Sequence, residues 1–154
     1  MTLAANDPAP DFDLPAAGGG QVRLADFKGK KLVLYFYPKD DTTGCTNEAK
    51  GFSEQAKAFA AAGTAVVGVS KDSVKSHDKF KAKYDLNLTL GADVDSAVVE
   101  AYGVWVEKSL YGRHYMGIER ATFLIDGAGR IARVWHKVKV AGHVAEVLAA
   151  VQTL

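Results

Sequence analysis

The chain has 154 residues, with 19 Lys and Arg against 18 Asp and Glu, a formal net charge of +1. Hydrophobic residues make up 48% and charged residues 24%, which excludes disordered and fibrous classes, and a chain of this size buries roughly 70% of its unfolded surface without a disulfide or metal. The near-zero charge argues against broad electrostatic binding to nucleic acid or anionic lipid, and the single cysteine, Cys45, excludes an internal disulfide, a cysteine-based zinc site and a Cys-x-x-Cys redox pair.

The elements can be predicted in chain order. Asp7 to Pro15 carries three of the four prolines and reads as an extended lead-in, because proline removes donors and fixes φ. Gly18-Gly19-Gly20 is a turn, and Val22 and Leu24 alternate with polar residues as a short strand would. Leu32 to Tyr37 is apolar at every position, the pattern of a central strand covered on both faces. Pro38 ends it, and Lys39 to Gly44 is a polar loop. Cys45, Ala49, Phe52, Ala56 and Phe59 then recur at helical spacing, and Gly63 closes that helix.

Thr64 to Val69 is a second buried strand. Val74, His77, Phe80 and Tyr84 mark a second amphipathic helix, Leu86 to Leu90 a short strand, and Asp95 to Tyr102 a short helix. Trp105 to Gly117 has no clear period and reads as a loop or insertion. Ala121 to Ile125 and Ile131 to Trp135 flank Asp126-Gly127-Ala128-Gly129, a hairpin signal. Val144, Val147, Leu148 and Val151 line a last helix. The sum is one domain over residues 1–154, of α/β class, with a central mixed sheet flanked by helices and a β-rich N-terminal extension.

No stretch of Met1 to Leu14 combines a basic and an apolar segment, so no signal peptide is expected. The longest apolar run, Leu32 to Tyr37, is far too short for a membrane span. A reduced, cytoplasmic setting is the expectation. The four histidines, His77, His114, His136 and His143, lack metal-ligand spacing and are expected to be partly exposed. Asp40-Asp41 is expected to be solvated loop. No metal or cofactor is assigned.

Cys45 falls where a buried strand has ended and a helix begins, the end of an α/β sheet at which ligand sites form. Unpaired N–H groups and the helix dipole stabilise an anion there, and the thiolate is the nucleophilic form of cysteine. Gly44 lets a substrate approach the backbone closely. Thr42 and Thr43 offer hydroxyls, either to cap the helix or to hold a substrate. Free cysteine is also a common core residue, but the polar, glycine-containing approach loop favours the chemical reading.

Tyr37-Pro38-Lys39-Asp40-Asp41-Thr42-Thr43-Gly44-Cys45 resembles the Pro-x-x-x-Thr-x-x-Cys signature of the peroxiredoxins. Its Phe-Tyr-Pro and Thr-x-Gly-Cys-Thr form is similar to the bacterioferritin comigratory protein, or peroxiredoxin Q, subfamily. Pro8-Ala9-Pro10-Asp11-Phe12 and the later Arg120-Ala121-Thr122-Phe123-Leu124-Ile125-Asp126 resemble further family segments. The resemblance implies a thioredoxin-like fold and thiol-dependent reduction of peroxides. It makes Cys45 the peroxidatic cysteine, with Thr42 holding the peroxide and Arg120 stabilising the thiolate and leaving oxygen. Pro38 would shield the thiol, Gly44 and Cys45 would donate N–H groups, and Glu48 would orient the arginine or complement the helix dipole.

Many members of the subfamily carry a second, resolving cysteine five positions after the first. Here that position is Lys50. The resemblance therefore implies a single-cysteine member whose sulfenic acid is resolved by an external thiol: thioredoxin, glutaredoxin or glutathione. It also implies a monomer. The alternative class is a non-enzymatic thioredoxin-fold module for redox sensing or binding.

Overall fold

The apolar run around Leu32 becomes the middle of a five-stranded sheet. The computed structural model describes residues 2–154; Met1, included in the span read from the sequence, lies outside the described residues. In chain order the elements are β1 (Asp13–Pro15), β2 (Gln21–Arg23), β3 (Lys31–Phe36), α1 (Thr43–Glu54), α2 (Ala56–Ala61), β4 (Thr64–Ser70), α3 (Val74–Tyr84), β5 (Thr89–Ala92), α4 (Ala97–Ala101), β6 (Trp105–Leu110), β7 (Arg113–Ile118), β8 (Ala121–Ile125), β9 (Ile131–Trp135) and α5 (His143–Thr153). The main sheet has the order β5-β4-β3-β8-β9. It is parallel where helices cross over, from β3 to β4 and β4 to β5, and antiparallel at β3–β8 and β8–β9.

Both faces of β3 are buried, as its unbroken apolar sequence requires. Leu32, Leu34 and Phe36 pack with Phe12, Leu14 and Val22 of the N-terminal extension and with Val98 and Val99 of α4. Val33, Tyr35 and Tyr37 face the other way, onto Phe52, Phe59, Phe80, Val147 and Val151 of α1, α2, α3 and α5. The extension thus contributes to the covering of one face. β1 and β2 form their own antiparallel pair.

Four local expectations differ from the structure. Trp105 to Gly117 is not a loop: it lies within an antiparallel hairpin, with Lys108 opposite Tyr115. Its outward residues are polar or exposed, so no apolar alternation marks it. Leu24 begins a 3-10 turn over Leu24–Phe27 instead of extending the strand. The helix from Cys45 to Phe59 is interrupted at Gln55 and continues as α2. The strand expected over Leu86 to Leu90 runs from Thr89 to Ala92, because its backbone pairs with β4 from Val67 onward. No helix among the described residues is long and apolar enough to cross a membrane.

Gly68 of β4 shows how closely the sheet and its cover fit. A Cβ there would stand 2.7 Å from Cζ and 2.8 Å from the hydroxyl of Tyr35, a fully buried ring. Gly68→Ala is expected to destabilise the fold by about 1–3 kcal/mol through overpacking, measured as a lower denaturant midpoint.

Candidate active site

β3 ends at Phe36, whose partner across the antiparallel pair is Ala121. This register brings Arg120, just before β8, to the end of the sheet from which the loop to α1 departs. The loop starts at the exposed Pro38 and carries Asp41 in the left-handed region, φ +60°, a conformation non-glycine residues seldom adopt. α1 then begins at Thr43, with Thr42 as N-cap.

The first backbone bond of the helix runs from Thr46 N to Thr42 O, 2.8 Å. The N–H groups of Thr43, Gly44 and Cys45 precede it, at the helix position that lacks intrahelical partners. No acidic residue occupies the first turn, and the Thr42 side chain does not cap it. That hydroxyl instead donates to Lys39 O at 2.9 Å. The positive end of the helix is therefore left facing Cys45 and the solvent side of the loop.

Cys45 is 1% exposed. Arg120 Nη2 donates to its sulfur at 3.3 Å, and Nη1 donates to Glu48 Oε1 at 2.7 Å. One guanidinium thus joins two residues of α1 that lie one turn apart on the same helical face. Gly44 makes this possible: a Cβ there would meet Arg120 Nη2 at 3.1 Å. The space that a side chain at Gly44 would need is taken by the arginine.

Glu48 is fully buried, and its Oε2 has no hydrogen-bond partner among the described residues. Burial pushes its carboxyl up to about 7, against the opposing pull of Arg120. Burial works against the charge of Arg120 too, but Glu48 and Cys45 outweigh it and hold the guanidinium above its usual range. The buried hydroxyl of Tyr35 also lacks a partner among the described residues. Desolvation, followed by the charges of Glu48 and Cys45, keeps that phenol well above its ordinary value, so it stays protonated.

The structure brings Cys45, Arg120, Glu48 and Gly44 into direct association. Thr42 and Pro38 stand in the adjoining loop, both exposed. Two groups near the site escaped the sequence reading. Lys108 of β6 is half-buried and held below its usual range by burial and by the charge of Arg120, with Cys45 and Glu119 opposing; one lysine in an aperiodic stretch gives no sequence signal. Asp40 is the other. It is 7% exposed, not solvated, and accepts hydrogen bonds from Tyr37 and Ser76.

The histidines need a matching correction. His77 is fully buried beside Asp40, and His143 is buried beside Thr122. In each case a polar partner supplied by a distant element makes burial tolerable. His114 and His136 are exposed and pair with Glu107 and Glu119.

Known proteins resemble this chain over most of its length. The model of the AhpC/TSA family matches residues 5–134. A putative peroxiredoxin Bcp of Coxiella burnetii is 55% identical over 148 residues, covering 96% of this chain and 98% of that protein. Peroxiredoxin Bcp of Bacillus subtilis is 49% identical over 148 residues, covering 96% and 94%. Among solved structures, Peroxiredoxin Q of Xanthomonas campestris superposes with a TM-score of 0.89 at 46% identity, covering 92% of this chain and 90% of that one. With a thioredoxin-like sheet, an arginine on a helix-start cysteine and relatives of nearly equal length, the chain belongs to the AhpC/TSA family, as a peroxiredoxin of the Bcp or peroxiredoxin Q type and so a thiol-dependent peroxidase.

Proposed function

We propose that this enzyme reduces hydrogen peroxide and small organic hydroperoxides to water and alcohols through a sulfenic acid on Cys45, which an external thiol then resolves. The observation that carries this reading is the Arg120 guanidinium, 3.3 Å from the Cys45 sulfur and anchored on Glu48. The Cys45 thiolate attacks one peroxide oxygen. An S–O bond forms, the O–O bond breaks, and the other oxygen leaves as hydroxide or alkoxide and takes up a proton. The sulfur loses two electrons and the peroxide gains them.

Negative charge moves from sulfur to the leaving oxygen during this step. Arg120 and the N–H groups of Gly44 and Cys45 stabilise it from fixed positions, which lowers the barrier without reorganisation. Thr42 holds the peroxide through its hydroxyl, Pro38 shields the thiol and shapes the approach, and Glu48 orients Arg120.

Cys45 is the chain's one cysteine, which supports a single-cysteine cycle. An external thiol attacks the sulfenic sulfur, giving a mixed disulfide and water, and a second thiol releases Cys45 as thiol with a new disulfide. The reductant is thioredoxin, glutaredoxin or glutathione. A sulfur 1% exposed is out of reach of a second protein's thiol, so the first turn of α1 opens during resolution. The enzyme acts as a cytoplasmic monomer, without a cofactor and without nucleic acid or membrane partners.

Cys45→Ser is expected to abolish peroxide consumption. Mass spectrometry of peroxide-treated wild type should show one added oxygen on Cys45, removed by the competent thiol. Arg120→Ala should slow the peroxide step by about 100- to 1,000-fold, the usual effect of removing a preorganised donor, read by stopped-flow.

Glu48 adds a proton-linked stability term. Its carboxyl is raised from 4.5 to about 7 in the folded protein, so between those values the native state binds a proton that the unfolded state does not. The resulting stabilisation is full below about 4.5 and is lost as pH rises through about 7. The loss amounts to about 3 kcal/mol. Denaturant midpoints across this range should show the decline in wild type, and Glu48→Gln should lack that component.

A further inference from the structure

The loop that carries Thr42 is gripped by a buried polar cluster that the peroxide chemistry does not use. Asp40 Oδ1 accepts from the Tyr37 hydroxyl at 2.6 Å, and Oδ2 accepts from Ser76 Oγ at 2.8 Å. His77 Nδ1 lies 2.7 Å from the same Oδ2. His77 Nε2 lies 2.9 Å from Gly91 O. A carbonyl only accepts, so Nε2 is the donor in that contact. The Asp40 side chain is thereby tied to Tyr37 just after β3, to α3 and, through the ring, to β5.

The backbone of Asp40 is held as well. Its N–H donates to Asp72 Oδ2 at 2.8 Å, and Asp72 is itself fixed by Ser70 Oγ at 2.6 Å. That N–H belongs to the same peptide unit as the Lys39 carbonyl. A peptide unit is planar and rigid, so fixing its N–H and the following side chain fixes the direction of its C=O. The Lys39 carbonyl is the acceptor for the Thr42 hydroxyl, at 2.9 Å. With its proton committed there, Thr42 Oγ1 presents lone pairs, and so accepts rather than donates toward an incoming O–H.

We propose that Asp40 and His77 are positioning residues for the peroxide step: through the 39–40 peptide plane they orient the Thr42 hydroxyl as an acceptor for the peroxide O–H. This rests on the reading of Thr42 as the group that holds the peroxide. The neighbouring Asp41 is tied to the same helix, by Lys83 Nζ at 2.8 Å and by the Tyr84 hydroxyl. Those bonds are exposed and weak, whereas the Asp40 bonds to Tyr37 and His77 are buried, and those to Ser76 and Asp72 partly so, and they are costlier to break.

The test compares two reactions of Cys45, with hydrogen peroxide and with iodoacetamide. Alkylation needs the thiolate and access to it, but no acceptor for a peroxide proton. Asp40→Ala and His77→Ala are each expected to lower the peroxide rate constant about tenfold or more while changing alkylation less than about twofold. Asp40→Asn retains a carbonyl for Tyr37 and an N–H for the His77 ring, and should restore most of the peroxide rate. Ser76→Ala removes one hydrogen bond to Asp40 Oδ2 and should give the same split in smaller measure, which keeps the test open if the alanine variants fold poorly. Equal losses in both reactions, or an unchanged peroxide rate, overturn the proposal. Thr42→Val separates the two ideas: if it leaves the peroxide rate intact, the reading of Thr42 fails; if it alone slows the peroxide, the tether fails.

Discussion

The two-pronged contact of Arg120, one nitrogen on the Cys45 sulfur and the other on Glu48, is the interaction around which the site is organised. The partners lie 75 and 72 residues apart in the chain, so the contact exists only when α1 and β8 are both docked on the sheet. A planar guanidinium can hold two acceptors at once and stays charged when half-buried. Its reach depends on the β3–β8 register, since Phe36 opposite Ala121 sets Arg120 beside the loop that leaves β3. A slip of one residue would turn every side chain of β8 to the opposite face. It also depends on Gly44, because the guanidinium occupies the space a side chain would need.

The cost of this arrangement lies close to the thiol. Glu48 is a carboxyl group in a dry environment with one oxygen unpartnered among the described residues, the buried Tyr35 hydroxyl is likewise unpartnered among them, and Asp41 is in a left-handed conformation. Each is unfavourable alone. Lying in β3, the loop after it and α1, they mark a stretch where local stability is given up. The large apolar packing of β3 against both covering layers offsets them, and the N-terminal extension matters for that reason although it is remote from the chemistry.

α3 has a second role besides covering the sheet. Its first turns hold Asp40 and its last turn holds Asp41, so the loop before α1 is fastened along the length of another helix. This fastening joins the C-terminal ends of β3, β4 and β5, which parallel pairing puts at the same end of the sheet, through Asp40, Asp72 and Gly91.

Much of this was legible in the chain. The all-apolar β3, the helical spacing after Cys45, the glycine stops and the Asp-Gly hairpin are local signals, because strand burial, helix period and turn chemistry are set by neighbours in sequence. The order of residues from Pro38 to Cys45 and the later Arg120 carried the family resemblance, and a lone cysteine restricts the thiol chemistry whatever the fold. The hairpin of β6 and β7 was not legible, since an exposed two-stranded ribbon needs no apolar alternation. Nor were Asp40 and His77, which read as a solvated aspartate and a partly exposed histidine. Their burial depends on partners 37 residues apart in the chain, and the same holds for Glu48, whose raised carboxyl comes from desolvation by elements that meet only in the folded state. Local sequence determined which elements form and that the chain's one thiol stands at a helix start; only the tertiary structure decided which charges are buried beside it, because solvent exclusion belongs to the assembled layers and not to any one of them.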